Sequence, residues 1–186
     1  MKKFLLVMSI CGICGGLFAE GRDLSVNSDK TGERPPLWKP NHTWVKNPGA
    51  ATFKIVETPD HIDGGKGIYW KANEKEKAPE NLGVHIRLVP TPGKSYKATF
   101  WAKSTEPSTL MVSLYGWQKG MKKEFQVYKY FKVMPDWKQF EFTYTVPSAE
   151  ADPVFAKKPG YNFCMDFRRG KNKDLIFKDM KIEELE

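Results

Sequence analysis

The side chains that could carry catalysis are few and lie far apart in the sequence. The three histidines, His42, His61 and His85, do not stand at the short spacings of metal ligands. Cys164 has no histidine nearby in sequence to activate its thiol, and the chain contains neither a nucleophile elbow nor a glycine-rich phosphate loop. These residues indicate no catalytic site and no histidine-based metal centre.

Paired carboxylates are the catalytic arrangement that the sequence leaves open. Glycoside hydrolysis uses two carboxyl groups at a defined separation. Asp166 could form such a pair with Glu141 or Asp136, and a small hydrolase therefore remains an alternative interpretation.

Two segments have an outward face that is unusually rich in aromatic residues. Leu110, Val112 and Leu114 alternate with a second set that should face solvent, namely Met111, Ser113, Tyr115 and Trp117. Residues 125–133 allow two parities. We place Tyr128 and Tyr130 outward, because an inward Lys129 costs less than burying two hydroxyl-bearing rings.

These residues belong to short segments with the two-residue period of half-buried β-strands. We predict strands at 52–57, 67–72, 84–88, 96–103, 110–117, 125–133, 140–146, 161–168 and 175–182, with a bulge near Lys178 and Asp179. Trp101 is a large ring on the polar face of its strand. No segment shows a convincing 3.6-residue apolar repeat, so the sequence predicts an all-β fold, a two-sheet antiparallel β-sandwich.

The N-terminus has the basic, apolar and small-residue regions of a secretory signal peptide, which we assign to residues 1–19. Its apolar run is too short for a membrane span, and the residues before Cys11 and Cys14 disfavour a lipid anchor. We therefore expect a secreted or periplasmic protein with a single domain at residues 20–186, in which Cys164 has no partner for a disulfide.

The formal net charge of +8 comes from lysines that are scattered and interleaved with acidic residues. The runs Lys122-Lys123 and Lys157-Lys158 are only pairs. Nucleic-acid binding would gather basic residues on one element, so we expect a solvated basic surface and no nucleic-acid partner.

Four motifs resemble the CenC-type carbohydrate-binding modules, within the galactose-binding-like jelly-roll superfamily. They are Leu88-Val89-Pro90-Thr91-Pro92-Gly93-Lys94-Ser95-Tyr96, Phe100-Trp101-Ala102-Lys103-Ser104, Asp136-Trp137-Lys138-Gln139-Phe140-Glu141-Phe142-Thr143 and Phe177-Lys178-Asp179-Met180. The resemblance covers roughly residues 23–185. It implies a concave sheet made of the strands at Gly83, Met111, Phe125 and Tyr161, and a convex sheet made of those at Tyr96, Lys138 and Leu175.

The resemblance also implies a sugar site on the outward residues of the concave sheet. A pyranose ring has apolar faces that stack on aromatic rings and hydroxyls that need directional hydrogen bonds. The expected stacking platforms are Tyr115, Trp117 and Tyr128, and the expected polar ligands are Arg87, Gln126, Asn162, Asp166 and Arg168. The same concave set includes His85, Met111, Ser113 and Tyr130. Alternatively, the rings pack under loops and Asp166 forms a structural ion pair with an arginine.

The expected function is a secreted, non-catalytic module that holds a poly- or oligosaccharide in a concave aromatic groove. It could work beside a separate glycan-degrading enzyme, or serve instead as a protein-interaction or cell-envelope accessory domain. The family often has a structural calcium ion near the chain ends, but residues 23–26 depart from its usual pattern. Asp179 is the single matched ligand, too few for a calcium shell.

Overall fold

The structure is a computed structural model. It describes residues 22–23, 39–40, 51–72, 82–88, 90–117, 125–148, 150, 160–167 and 174–186. The predicted signal peptide, residues 1–19, lies outside this part of the chain. No helix in the described ranges is long and apolar enough to cross a membrane.

Eleven strands make up the regular structure of the described residues. They are β1 (Arg22–Asp23), β2 (Lys39–Pro40), β3 (Ala51–Glu57), β4 (Lys66–Ala72), β5 (Leu82–Leu88), β6 (Ser95–Lys103), β7 (Ser108–Trp117), β8 (Phe125–Val133), β9 (Lys138–Thr145), β10 (Gly160–Phe167) and β11 (Asp174–Leu185).

The strands form two antiparallel sheets, which confirms the predicted β-sandwich. The six-stranded sheet has the order β3-β4-β11-β6-β9, with β1 paired to β11, and the five-stranded sheet has the order β2-β5-β10-β7-β8. The division of β5 to β11 between the two sheets is the one that the resemblance implied. The two short strands that come first in the chain join different sheets: β1 pairs with β11 of the six-stranded sheet, and β2 pairs with β5 of the five-stranded sheet.

Strand β6 shows how the sequence specifies its own burial. Its residues alternate strictly between half-buried and buried, and Tyr96 and Phe100 are both fully inaccessible to solvent. The turn before it contains Gly93, whose φ of 82° lies in the left-handed region that glycine adopts without strain. The Gly93 N–H donates to the carbonyl of Val146 at 2.9 Å, which ties the turn to the end of β9.

The core lies between the inner faces of the two sheets. Phe100 and Phe140 stack in the six-stranded sheet with ring centroids 5.5 Å apart, and Phe131 of the other sheet packs edge-on against both. Leu114 and Met165 contribute from the five-stranded sheet and are fully buried. Burying each such side chain contributes roughly 1.5–3 kcal/mol.

Strand β8 settles the parity that the sequence left open. Tyr128 and Tyr130 are 55% and 50% exposed, whereas Phe125, Val127 and Phe131 pack against the core. The outward placement of the tyrosines is therefore confirmed. Lys129 shares the inward parity but is exposed, with its amino group 5.2 Å from the Phe131 ring centroid. An edge strand allows this, because a long side chain can reach solvent around the edge.

Candidate functional site

Four of the predicted site residues occupy one row across the five-stranded sheet. Asn162 is directly opposite Arg87 of β5 on one side and Tyr115 of β7 on the other, and Tyr115 is opposite Gln126 of β8. Residues at opposite positions belong to the same face of a sheet. With strands about 4.8 Å apart, this Tyr115 row spans roughly 14 Å.

Two further rows continue the same face. The first contains His85, Cys164, Ser113 and Tyr128, and the second contains Gly83, Asp166, Met111 and Tyr130. We call this side of the sheet, which faces away from Leu114 and Met165, the outer face. Trp117 is opposite Gly160 at the end of β7.

The outer face is unevenly accessible. Arg87 and Gln126 are exposed and Tyr115 is half-buried. Met111 and Ser113 are 0% and 1% exposed, although both lie in the outer rows. The expectation that these two face solvent is therefore wrong, because parity along a strand assigns a face but not what covers it.

The edge of the sheet at β8 is its open part. The rings of Tyr128 and Tyr130 meet edge to face, with centroids 5.5 Å apart and planes at 71°. A cavity of about 310 Å³ adjoins Tyr130 and is also lined by Thr109 and Lys132, which pair across β7 and β8. The site residues expected from the sequence did not include Tyr130, although it has the same parity as Tyr128.

Four of the predicted site residues lie wholly or partly outside what the structure describes. For Trp117, Asn162 and Asp166 only the backbone is described, and Arg168 lies outside the described residues. The alternative of an ion pair between Asp166 and an arginine therefore stays a prediction.

Asp166 and Glu141, one of the carboxylate pairs considered for glycoside hydrolysis, lie on different sheets. Asp166 lies on β10 of the five-stranded sheet, whereas Glu141 is an exposed residue of β9 in the six-stranded sheet. Packed sheets are about 10 Å apart, which exceeds the roughly 5–9.5 Å between the two carboxyl groups of glycosidases, and Glu141 lies on the exposed side of its sheet. This pair is excluded as a catalytic dyad.

A second cavity lies beside the six-stranded sheet. It encloses about 410 Å³ and is lined by Asp60, His61, Ile62, Trp101, Pro135, Asp136 and Trp137. The Trp101 ring packs edge to face with His61 at 5.0 Å, so this ring on the polar face of its strand contacts the loop after β3. Ile62 is 87% exposed at the rim.

One of the two carboxylates that line this second cavity, that of Asp60, is paired with a lysine. The Asp60 carboxylate accepts a hydrogen bond from the amino group of Lys103, and this bond lowers the pKa of Asp60. The same amino group lies 5.3 Å from the Trp137 ring centroid. Lys103 thus holds the carboxylate next to the indole.

Asp179, the residue matched to a structural calcium site, lies close to two other candidate ligands. The ligand atoms of His61, Asp63 and Asp179 are all within 4.8 Å of one another. The amino group of Lys178 lies in the same place, 3.4 Å from Asp179 Oδ2. The donor set therefore does not fit a metal ion while Lys178 is present.

Comparisons with known proteins agree with this architecture. Residues 42–157 match the family model of a carbohydrate-binding domain, CBM_4_9. No curated protein matches the sequence.

Solved structures with the same fold are similar over most of their length. One of them, a CBM4 module described under the words "CBM4 structure and function", has 17% sequence identity and a TM-score of 0.58. The alignment covers 90% of this chain and 96% of that chain. The CBM22-1 xylan-binding domain of Paenibacillus barcinonensis Xyn10C has 10% identity and a TM-score of 0.62, covering 89% and 96%.

A third structure contains a module of this fold within a larger enzyme chain. It is the CBM22-1–GH10 part of a Clostridium thermocellum endo-1,4-β-D-xylanase, complexed with xylohexaose. Identity is 13% and the TM-score 0.58, covering 88% of this chain and 28% of that one. At these identities the similarity establishes the fold. Because the family model spans more than half of the sequence, the chain belongs to the CBM_4_9 family of carbohydrate-binding domains.

Proposed function

We propose that this protein is an exported, non-catalytic module that binds a poly- or oligosaccharide on the outer face of the five-stranded sheet. The observation that carries the proposal is the Tyr115 row, in which an arginine, an asparagine, a tyrosine and a glutamine stand at opposite positions of adjacent strands. Family membership supplies the ligand class, and the row supplies the chemistry.

The two kinds of side chain would act on different parts of the sugar. Tyrosine rings offer planes to the apolar faces of pyranose rings, and Tyr128 and Tyr130 are the most accessible of them. Arg87 and Gln126 are exposed and would hydrogen-bond hydroxyl groups, with the guanidinium giving charge-assisted bonds. A row of roughly 14 Å is longer than a single sugar ring, which favours an oligosaccharide over a monosaccharide.

The similar structures suggest where to begin the search for the ligand. One of them is a xylan-binding domain and another is complexed with xylohexaose. Xylan and xylo-oligosaccharides therefore head the panel, followed by other polysaccharides. In the Clostridium thermocellum protein the module is joined to a catalytic GH10 module. We infer that this module, too, acts beside a glycan-degrading enzyme.

The test is retention on immobilised polysaccharides in native gels, followed by titration with the best oligosaccharide. Tyr115→Ala, Trp117→Ala and Tyr128→Ala should each weaken binding about 5–30-fold, corresponding to roughly 1–2 kcal/mol for a truncated contact ring. Tyr69→Ala is the matched control, since Tyr69 is a half-buried tyrosine on the outer side of the other sheet. Unchanged retention in all three variants, with each still folded, would refute the site.

The burial of Met111 and Ser113 favours a second candidate, a protein-interaction or cell-envelope accessory domain. A covered outer face leaves less room for a glycan, and it would make the sandwich a scaffold for another partner. This candidate predicts no retention on any polysaccharide. It also predicts that the wild-type protein, immobilised at its C-terminus, captures an envelope protein that a Tyr128→Ala, Tyr130→Ala variant does not.

A further inference from the structure

Lys178 is a buried lysine that the sugar-binding proposal does not use. It lies on β11 and is only 5% exposed. Its amino group is 2.5 Å from the carbonyl oxygen of Gly64, 3.1 Å from His61 Nδ1 and 3.4 Å from Asp179 Oδ2. An ammonium group has three hydrogens to donate, and three acceptors from two segments of the chain surround it.

The backbone on both sides is shaped to bring these acceptors together. On β11 the register shifts between Lys178 and Lys181, and Asp179 has a φ of 51°. This confirms the predicted bulge and turns consecutive side chains toward one place. Across from it, the loop after β3 is closed by the Thr58 N–H, which donates to the Gly65 carbonyl at 2.8 Å. Gly64 and Gly65 both have positive φ there.

His61 takes part as a neutral hydrogen-bond acceptor. Its Nδ1 lies 3.2 Å from the N–H of Asp63 and 3.1 Å from the amino group of Lys178, and both of these are donors. The ring hydrogen is therefore on Nε2. The ring packs edge to face with Trp101 at 5.0 Å and with Trp137 at 4.9 Å. The imidazole thus links the amino group of Lys178 to the second cavity.

The same acceptors would suit a metal ion if the amino group were absent. The ligand atoms of His61, Asp63 and Asp179 lie within 4.8 Å of one another, and the Gly64 carbonyl binds the same amino group that contacts His61 and Asp179. Calcium binds oxygen at 2.3–2.6 Å. The Lys178 nitrogen, 2.5 Å from the Gly64 oxygen, stands at the distance that a calcium ion on that carbonyl would take. A divalent ion and an ammonium group cannot share this position, because of both volume and charge.

We propose that the ammonium group of Lys178 is a built-in cation that takes the place of a bound metal ion in this domain. It joins the loop after β3 to the bulge of β11 without any exchangeable ion. The folded state is consequently independent of calcium. Removing the amino group exposes a weak site for a divalent cation made of the Gly64 carbonyl, His61 and the carboxylates of Asp63 and Asp179.

The first experiment measures thermal unfolding of the wild-type protein with 1 mM EDTA and with 10 mM calcium chloride. The expected midpoints agree within about 1 °C, since a ligand raises stability only if it binds the folded state. A saturable rise in the midpoint with calcium, or a fall with EDTA, overturns the proposal.

The second experiment uses Lys178→Met, which keeps the length of the side chain and removes its charge. Breaking a buried charged contact should lower the midpoint by roughly 6–20 °C, and 10 mM calcium or manganese should restore part of the loss. Lys181→Met is the matched control, because Lys181 is an exposed lysine on the same strand. It should lose little stability and show no response to either metal.

A double variant and the outcomes of Lys178→Met that would contradict the proposal complete the test. Adding Asp179→Asn to Lys178→Met should abolish the response to metal. If Lys178→Met loses no stability, or loses it without responding to either metal, the amino group does not stand in for a cation. Should this variant fail to fold without metal, recovery on refolding with calcium supports the proposal, and no recovery refutes it.

Discussion

Replacing Tyr96 by phenylalanine tests whether one hydroxyl joins the turn before β6 to the end of β11. The ring of Tyr96 is completely buried. Its hydroxyl accepts a hydrogen bond from the N–H of Thr91 at 2.8 Å and donates one to Glu184 Oε2 at 2.8 Å. Tyr96→Phe keeps the ring and removes both bonds, so any change in stability reports on the hydroxyl alone.

The expected loss of stability depends on whether Thr91 and Glu184 find other hydrogen-bond partners once the Tyr96 hydroxyl is removed. The Thr91 N–H loses its acceptor in a partly buried place, which costs about 1–3 kcal/mol. Glu184 loses less, because its side chain is 25% exposed and Lys94 lies 3.7 Å from its other oxygen. We therefore expect a loss of about 1–3 kcal/mol in the free energy of unfolding. For a domain of this size the unfolding midpoint should fall by roughly 2–12 °C.

The assay is urea unfolding followed by tryptophan fluorescence, with the slope of the transition measured along with its midpoint. The slope should not change, since the surface exposed on unfolding is the same. Tyr69→Phe is the control, because its half-buried ring lies on the outer side of the same sheet, and it should stay within about 0.5 kcal/mol of wild type. If Tyr96→Phe is no less stable than that control, the two hydrogen bonds contribute nothing and the reasoning is wrong.

Three further substitutions probe the fold that carries the site. Burial raises the pKa of Tyr144 in the folded protein above its unfolded value near 10. The neutral hydroxyl therefore contributes its full stabilisation of the folded state below pH 10, and this contribution is lost as the pH rises toward the folded pKa. Tyr144→Phe should accordingly lose less unfolding free energy than wild type between pH 9.5 and 11. Gly93→Ala should cost about 1–2 kcal/mol in urea unfolding, because alanine is strained at a φ of 82°. Leu114→Ala, in the core beneath the outer face, should cost about 2–5 kcal/mol by the same assay. An alkaline profile identical to wild type, or no loss of stability in the other two, would contradict these expectations.

The strands with a clean period of two could be predicted from the sequence because burial depends on local alternation. Tyr96 and Phe100 of β6 are examples, since every second residue of that strand is buried. Strands β1 and β2 have two residues each, too few to show any period. The resemblance to a known family, and not the alternation, supplied the division of the strands between two sheets.

The candidate site could be predicted in part. Parity placed Tyr128 on the outer face, and its exposure of 55% agrees. Parity did not reveal that Ser113, in the same row, is buried, because alternation along a strand assigns a face but not the accessibility of each position on it. Lys178 was missed for a different reason. A lysine is almost never fully buried unless it is paired, and its partners His61 and Gly64 are more than 110 residues away in sequence.

The register of β10 connects the stability of the core to the composition of the site. Asn162 lies in the Tyr115 row because the neighbouring positions, Phe163 and Met165, pair with Leu114 and Val112 of the core. A slip of one residue would move every side chain of β10 to the opposite face. It would put an amide and a carboxylate into the core and remove Met165 from it. The apolar residues of β10 thus fix which polar groups the outer face can offer, although none of them would touch the sugar.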